Sequence, residues 1–410
     1  MRLLPPPVQS IGIPTELSVT ALTETRPCLL APVAYEDPSV PLLHLGPQAE
    51  LGSILHKLVE DAGRGKILSS GDALTAVRSH FDMLLRKREE ELRRDLFSRI
   101  YADLKRSFSF LAWHSRTEIA ISDAVRLFNH RPLVPVSEFG NRLNSRSTDL
   151  NVYLNRGGEF RLFEVPFHSP GLRLKGRIDE VVKRASGAIE VTDYKTGRIM
   201  DNDGNLSERI VLQLRLYGLV ILESVPSASV QPYVQSGEQR YAVPFTPYDV
   251  QLTESEHKAL LGKLPAEQSR PAESLAELGP QCRTCRVRHV CPRYRTEVTN
   301  LWAIPTAEFR LPLDVSGSVV GRERVDNGVY TVTLRDDVGR LVKVHRLIMS
   351  EKDFEDLTAF RRVWFFNLAS HEGGLRNSLW HHPRNFYQLS ANPGEARAWS
   401  MEIFAFDGDR

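Results

Sequence analysis

The chain has 410 residues, 41% of them hydrophobic and 25% charged, with 53 Lys and Arg against 51 Asp and Glu. That is enough polypeptide for two or three domains of ordinary soluble composition, and the near-balanced charge excludes a global field that would draw nucleic acid, leaving only local patches. No apolar run has the length of a membrane span or a secretory leader, which points to a cytoplasmic protein without membrane contact, and four cysteines exclude a disulfide scaffold and favour metal ligation.

Residues 1–45 carry Pro27, Pro32, Pro38 and Pro41 and read as an irregular arm holding the Leu17–Leu22 stretch and Cys28. A helix is expected from Pro47 to Ala62, started by its proline, ended by Gly63 and Gly65, and striped by Leu51, Ile54, Leu55, Leu58 and Val59. His56 lies off that stripe, where a lone histidine is ordinarily a surface or core residue. From about 71 to 130 the pattern is a helical insertion. Its run RKREEELRRDLFSRI interleaves acids with bases at helical spacing, as a solvated face does, with contact to DNA phosphates the lesser alternative.

Residues 136–196 read as strands. Within them Gly176-Arg177-Ile178-Asp179 and Ile189–Lys195 form two strand-like segments around a turn. Side chains at i and i+2 of a strand share a face, so Asp193 and Lys195 project together, Thr192 and Tyr194 point the other way, and Glu190 has the wrong parity to join the first pair. If the segments pair as a hairpin, Asp179 meets Asp193 and Lys195. Two carboxylates beside an ammonium suit divalent metal ions and an activated water. A helix from Ser207 to Glu223 follows, with Gln213 and Tyr217 sharing a face four residues apart. A strand near 238–246, a helix from Glu254 to Leu264 and a connector over 265–280 complete this half.

The compact basic segment 282–295 holds Cys282-x2-Cys285-x5-Cys291. With Cys28 as a fourth thiolate the set suits an iron–sulfur cluster; with His289 it suits structural zinc; three inert buried thiols are the remaining reading. From about 302 the runs Val315–Val320, Val329–Leu334, Leu341–Ile348, Val363–Leu368, Phe386–Leu389 and Trp399–Phe406 are separated by turn signals and predict a small β-barrel or sandwich. Trp364, Phe365, Phe366, Trp380 and Tyr387, with Arg361, Arg362, His381, His382 and Arg384 nearby, are either its core or stacking platforms for a single strand. No Gly-rich phosphate loop ends in Gly-Lys-Ser/Thr, so an ATP-driven motor is not expected within the chain.

Taken in order, Leu17-Ser18…Cys28, Leu51-Gly52-x2-Leu55-His56, Glu164-x-Pro166-Phe167, Gly176–Asp179, Asp193-Tyr194-Lys195-Thr196-Gly197, Gln213-x3-Tyr217 and Cys282-x2-Cys285-x5-Cys291 resemble the RecB-like branch of the PD-(D/E)XK nuclease superfamily over about residues 15–296. The iron–sulfur members of that branch, the AddB nuclease domain and the CRISPR-adaptation exonucleases among them, are the nearest in pattern. The resemblance implies an α/β, restriction-endonuclease-like core, a central mixed sheet flanked by helices, over residues 1–300, with the β module of 301–410 outside it and OB-like in size and strand spacing. It implies Asp179 and Asp193 as metal-binding acids, His56 as a further ligand, and Lys195 as the lysine that positions or activates water with a lowered pKa. Gln213 and Tyr217 line the site, and Glu164 stands at a position often acidic in the family, with a strand-end role equally open. Cys28, Cys282, Cys285 and Cys291 match the ligands of a [4Fe–4S] cluster. Closing that loop of some 250 residues would remove roughly 5 kcal/mol of unfolded-chain freedom. The implied activity is Mg²⁺- or Mn²⁺-dependent hydrolysis of DNA, on single strands or ends, with any helicase supplied by a separate chain. The rival readings are a catalytically silent DNA-binding accessory subunit and a zinc-stabilised nucleic-acid-binding module.

Overall fold

The structure, a computed structural model, describes every residue except 1, 4, 44–45, 69–70, 95–101, 109, 130–149, 151–153, 155–157, 284, 303–312, 327–328, 338, 340, 349, 361, 371–385, 391–401 and 407–410. The proline-rich arm supplies three very short strands, β1 (Arg2–Leu3), β2 (Ser10–Gly12) and β3 (Leu17–Ser18). Ser18 then caps a helix, Val19–Thr25, its hydroxyl accepting from Ala21 N at 3.4 Å. The expected first long helix is present as Pro47–Gly63, with all five stripe residues buried. It ends at a glycine because a Cβ on Gly63 would stand 2.6 Å from the ring of Phe163. The insertion forms helices Ala73–Arg94 and Phe110–Asn129, which pack with Pro47–Gly63 around their own apolar core. Along the charged run Arg88 pairs with Glu50 and Glu91, Arg93 with Glu89 and Arg94 with Glu90, so those cations are spent on neighbouring acids.

The main sheet is built from β4 (Phe160–Ser169), β5 (Leu174–Lys183), β6 (Ile189–Tyr194), β7 (Val230–Ser236) and β8 (Gln239–Ala242), with β3 at one end. β4, β5 and β6 are antiparallel neighbours, and β6 and β7 run parallel. The helical core of the insertion covers one face, reaching Phe163 and Tyr194; helix Glu208–Ser224 covers the other, its Leu214, Leu216, Tyr217 and Ile221 buried with Val165, Phe167 and Ile178. This is a mixed sheet flanked by helices. Two expectations need correction. The buried strand is β7, one element earlier than 238–246, while β8 is an exposed edge. The next helix begins at Pro247, seven residues before Glu254, where Thr246 and Asp249 form a capping box.

One edge of β5 is shared. β6 pairs with Glu180–Lys183 and β3 with Leu174–Lys175, so among the described residues Gly176–Asp179 have no ladder partner on that edge. A cleft opens there.

The connector folds back as β9 (Ser269–Pro271), antiparallel to β2. After helix Pro292–Trp302 come β10 (Leu313–Asp326), β11 (Val329–Arg335), β12 (Leu341–Ile348), helix Glu351–Asp356, β13 (Arg362–Ser370), β14 (Phe386–Ser390) and β15 (Glu402–Phe406). β10, β11 and β12 form a meander, β12 pairs parallel with β14, β14 pairs with β13, and β13 returns to β10. The five strands therefore close on themselves around Val315, Tyr330, Val332, Leu334, Val344 and Phe365. β15 adds to β13 outside that circuit, and β1 adds to β15, so the first residues of the chain belong to the C-terminal sheet. The aromatic triplet is not a stacking platform. Phe365 fills the barrel, whereas Trp364 and Phe366 face the nuclease-like half and join its core. Arg362 is paired with Asp337 and Ser316. Arg361, Trp380, His381, His382 and Arg384 lie outside the described residues, as does the side chain of Tyr387.

Candidate metal centre and cysteine loop

Register brings the acids together. β5 and β6 end their ladder at Glu180 and Thr192, which leaves Asp179 facing Asp193, and the Asp179 carboxylate accepts from Tyr194 N at 2.8 Å where the ladder stops. On the other side of β5, Phe163 pairs with Glu180 and Val165 with Ile178, so Glu164 stands opposite Asp179. Glu164 has φ +52°, a conformation that non-glycine residues rarely adopt and that is found where function pins the backbone. Arg64, one residue past the Pro47–Gly63 helix, holds it there by donating to the carbonyls of Phe163 at 3.1 Å and Glu164 at 3.3 Å. The same helix carries His56, whose Nδ1 lies 3.8 Å from Asp179 Oδ2.

One ligand atom each of His56, Glu164 and Asp179 lies within 4.8 Å of the others. Asp193 sits just behind this trio. Its Oδ1 accepts from Lys195 Nζ at 3.1 Å and from Gln213 Nε2 at 3.4 Å, while its Oδ2 is 2.9 Å from Lys195 Nζ, yet buried and without a hydrogen bond. Gln213 also accepts from Lys195 at 3.3 Å and donates to Tyr217 Oη at 3.0 Å, the i,i+4 pair expected on one helix face. Tyr217 is fixed edge-on to Phe167, ring centroids 5.8 Å apart. Gly176 lets the Phe167 ring lie close, since a Cβ there would meet it at 3.0 Å and force it to shift. All these side chains line one open cleft of about 780 Å³.

The electrostatics describe a site short of positive charge. Burial, then the charge of Asp179, pushes Glu164 up to about 7. Burial and Asp193 push Asp179 up as well, and burial with Lys195 lowers His56, favouring the neutral imidazole that ligates metals. A divalent cation fits this donor set of two crowded carboxylates and a neutral imidazole, with the Asp193 carboxylate behind them. Lys195 departs from expectation. Burial does act to lower its pKa, but Asp193 and Asp179 outweigh it and the ammonium is held above its ordinary value. The role of Glu164 was only half legible, because opposition to Asp179 depends on pairing and on a positive φ. Glu190 is excluded as its parity required; it binds Arg184 and Arg240 away from the cleft.

The four cysteines are buried, unoxidised and part of one apolar core. Cys28 donates to Leu275 O at 3.9 Å and Cys282 to Glu277 O at 3.8 Å. Burial raises the thiols of Cys282, Cys285 (to about 12) and Cys291 (to about 11), and the nearby Cys28 sulfur adds to the rise in all three. Among the described residues no three of them, and no two with a nitrogen of His289, come within 4.8 Å of one another. A zinc site with sulfurs about 2.3 Å from the metal would need them closer. Arg288 of the same loop is fully enclosed: Nη1 donates to Cys285 O at 2.8 Å, and Nε and Nη2 donate to Asp314 of β10 at 2.5 and 3.0 Å. Tyr294 adds a bond to Asp314 at 2.7 Å, and His289 packs edge-on against Phe366. The cysteine loop is thereby bolted to the barrel.

Among the described residues no helix is long and apolar enough to cross a membrane. No curated protein matches the chain. One solved structure, the crystal structure of SSO0001, resembles 52% of this chain and 96% of its own at 15% identity, with a TM-score of 0.22, too low to carry an argument. The sequence itself matches the family model over residues 16–292, a span that begins before the arm helix, takes in every residue of the cleft and ends just past Cys291. The chain belongs to the PD-(D/E)XK nuclease superfamily.

Proposed function

We propose that the protein is a metal-dependent deoxyribonuclease of the RecB-like, iron–sulfur branch, acting on single strands or DNA ends. The observation that carries this reading is the convergence of His56, Glu164 and Asp179 beside the Asp193–Lys195 pair in an open cleft. His56, Glu164, Asp179 and Asp193 would hold Mg²⁺ or Mn²⁺, and when bound the ion supplies the Lewis acidity that phosphodiester hydrolysis needs. Lys195, kept protonated by its two aspartates, lines the cleft as a cation that would offset charge developing on phosphate. Gln213 and Tyr217 fix that lysine in place. The assay is cleavage of end-labelled single- and double-stranded DNA, with RNA in parallel, in Mg²⁺, Mn²⁺ and chelator. Cleavage indifferent to chelator, or retained by both Asp179→Ala and Lys195→Ala, sinks the reading. Binding without cleavage in any metal would favour the accessory-subunit alternative.

The [4Fe–4S] assignment to Cys28, Cys282, Cys285 and Cys291 rests on the resemblance of their spacing and on the burial of all four thiols in one apolar core. Iron and sulfide analysis with visible absorbance on anaerobically purified protein tests it, since zinc is colourless. Cys28→Ser should bleach a cluster yet leave a Cys3His zinc site. The OB-like reading of the barrel is supported by its closed five-strand circuit and by the helix between its third and fourth strands. A separately encoded helicase or a defence or adaptation partner would supply any translocation.

A further inference from the structure

The cleft face of the β4–β5 ribbon is laid out as a ladder. On β5, Lys175, Arg177 and Asp179 alternate with buried or backbone-only positions; opposite them on β4 stand His168, Pro166 and Glu164, and all six line the cleft. One end of the ribbon therefore carries the carboxylates, and each step of two residues away from them, about 6.8 Å along a strand, carries cationic groups. That step is close to the separation of successive phosphates in an extended nucleic-acid strand. Lys175 is oriented by Glu36 at 2.6 Å and His168 by Glu16 at 3.0 Å. Arg177 is different: it is more than half exposed, and it reaches Glu164, a member of the metal-ligating trio, at a long 3.4 Å.

We propose that Arg177 is the residue that binds the phosphate adjacent to the scissile one, with Lys175 taking the phosphate beyond it, so that the substrate strand runs from the metal centre along the β4–β5 ribbon towards β3. This rests on the nuclease reading and extends it by assigning the strand's course. In the free protein Arg177 lies against Glu164; once Glu164 serves a cation, the guanidinium swings to the neighbouring phosphate, which it can grip with two parallel N–H bonds as lysine cannot. The ribbon can bind without reading bases, because it contacts only the backbone.

The test uses the full chain and a labelled single-stranded oligonucleotide whose cleavage position has been mapped. Binding is measured in Ca²⁺ across a salt series for wild type, Arg177→Gln, Arg177→Lys, Lys175→Gln and, as a control on the exposed face of helix Pro247–Lys263, Lys258→Gln. Arg177→Gln is expected to weaken binding about tenfold and to lower the salt slope by about one, Arg177→Lys to restore the slope but only a minor part of the affinity, and Lys258→Gln to change neither. A scan of single methylphosphonates should find one position next to the cleaved bond at which wild type loses affinity and Arg177→Gln loses nothing further. An unchanged salt slope in Arg177→Gln, or a sensitive position that stays sensitive in the variant, overturns the assignment while wild-type cleavage keeps the nuclease reading intact. Absence of cleavage by wild type fails that reading separately, and the binding series still decides the phosphate contact.

Discussion

The acidic cleft and the junction between cysteine loop and barrel both bury acids, and they treat them in opposite ways. At the junction Asp314 receives two bonds from Arg288 and one from Tyr294, and the arginine spends a further donor on Cys285 O. Charge is balanced inside the protein, so the region needs nothing from solvent. In the cleft Lys195 serves only Asp193 and Asp179, Glu164 has a long contact to Arg177, two of the three acids are pushed up in pKa, and one buried oxygen goes without a hydrogen bond. Such an arrangement costs stability and is tolerated where a ligand completes it. Burial of an acid therefore says little by itself; the supply of partners tells a strut from a socket.

The sharpest way to break this contrast is to remove one charged side chain from each side. Asp179→Ala should abolish cleavage, a loss of at least about 10³-fold, without lowering the melting temperature of the metal-free protein, as read by gel assay and calorimetry. Arg288→Ala should do the reverse in kind: it strands Asp314 and costs about 3–5 kcal/mol, while Arg288→Met with Asp314→Leu recovers most of the loss in chemical denaturation. If both single variants proved equally destabilising, the distinction would be wrong.

A third buried acid lies between the two extremes. Asp123 accepts from Gly237 N at 3.0 Å and pairs with Arg126 at 3.3 Å, yet burial wins and its pKa rises to about 6. A folded-state pKa above the unfolded one means the folded protein holds the proton more tightly. Its favourable contribution is complete below about pH 4 and fades as pH rises through 6, by about 3 kcal/mol at most. Asp123→Asn should flatten that part of the stability–pH curve. The smallest effect expected is from metal itself: Ca²⁺ or Mg²⁺ at a hundred times its Kd should stabilise wild type by about 2.7 kcal/mol, and Asp179→Ala much less, in a thermal-shift titration.

What could be read beforehand followed from local periodicity. The Pro47–Gly63 helix, the same-face pair Asp193 and Lys195, and Gln213 with Tyr217 all rest on repeats of 3.6 or 2 that tertiary packing did not override. β7 was missed because a central parallel strand is buried on both faces and shows no alternation, and because Pro232 argues against a strand interior. The start of the helix at Pro247 was announced by Thr246 and Asp249, but few of its residues are buried and the apolar stripe that would have drawn attention is missing. The sign of the Lys195 shift needed distances to two aspartates, and the fate of Trp364 and Phe366 needed a partner surface. Neither is encoded in spacing along the chain.

The arm's strands carry an implication for time. β3 pairs with residue 174, β2 with residues 269–271 and β1 with residues 404–405, so the nearer a strand lies to the start of the chain, the later its partner is made. At about 5–20 residues per second of synthesis, Arg2 waits some twenty seconds or more for Phe404. During synthesis the three pairings can close only from the inside outwards, like nested brackets, and hydrogen exchange on chains halted at increasing lengths should find Leu17 protected first, Ile11 next and Leu3 last.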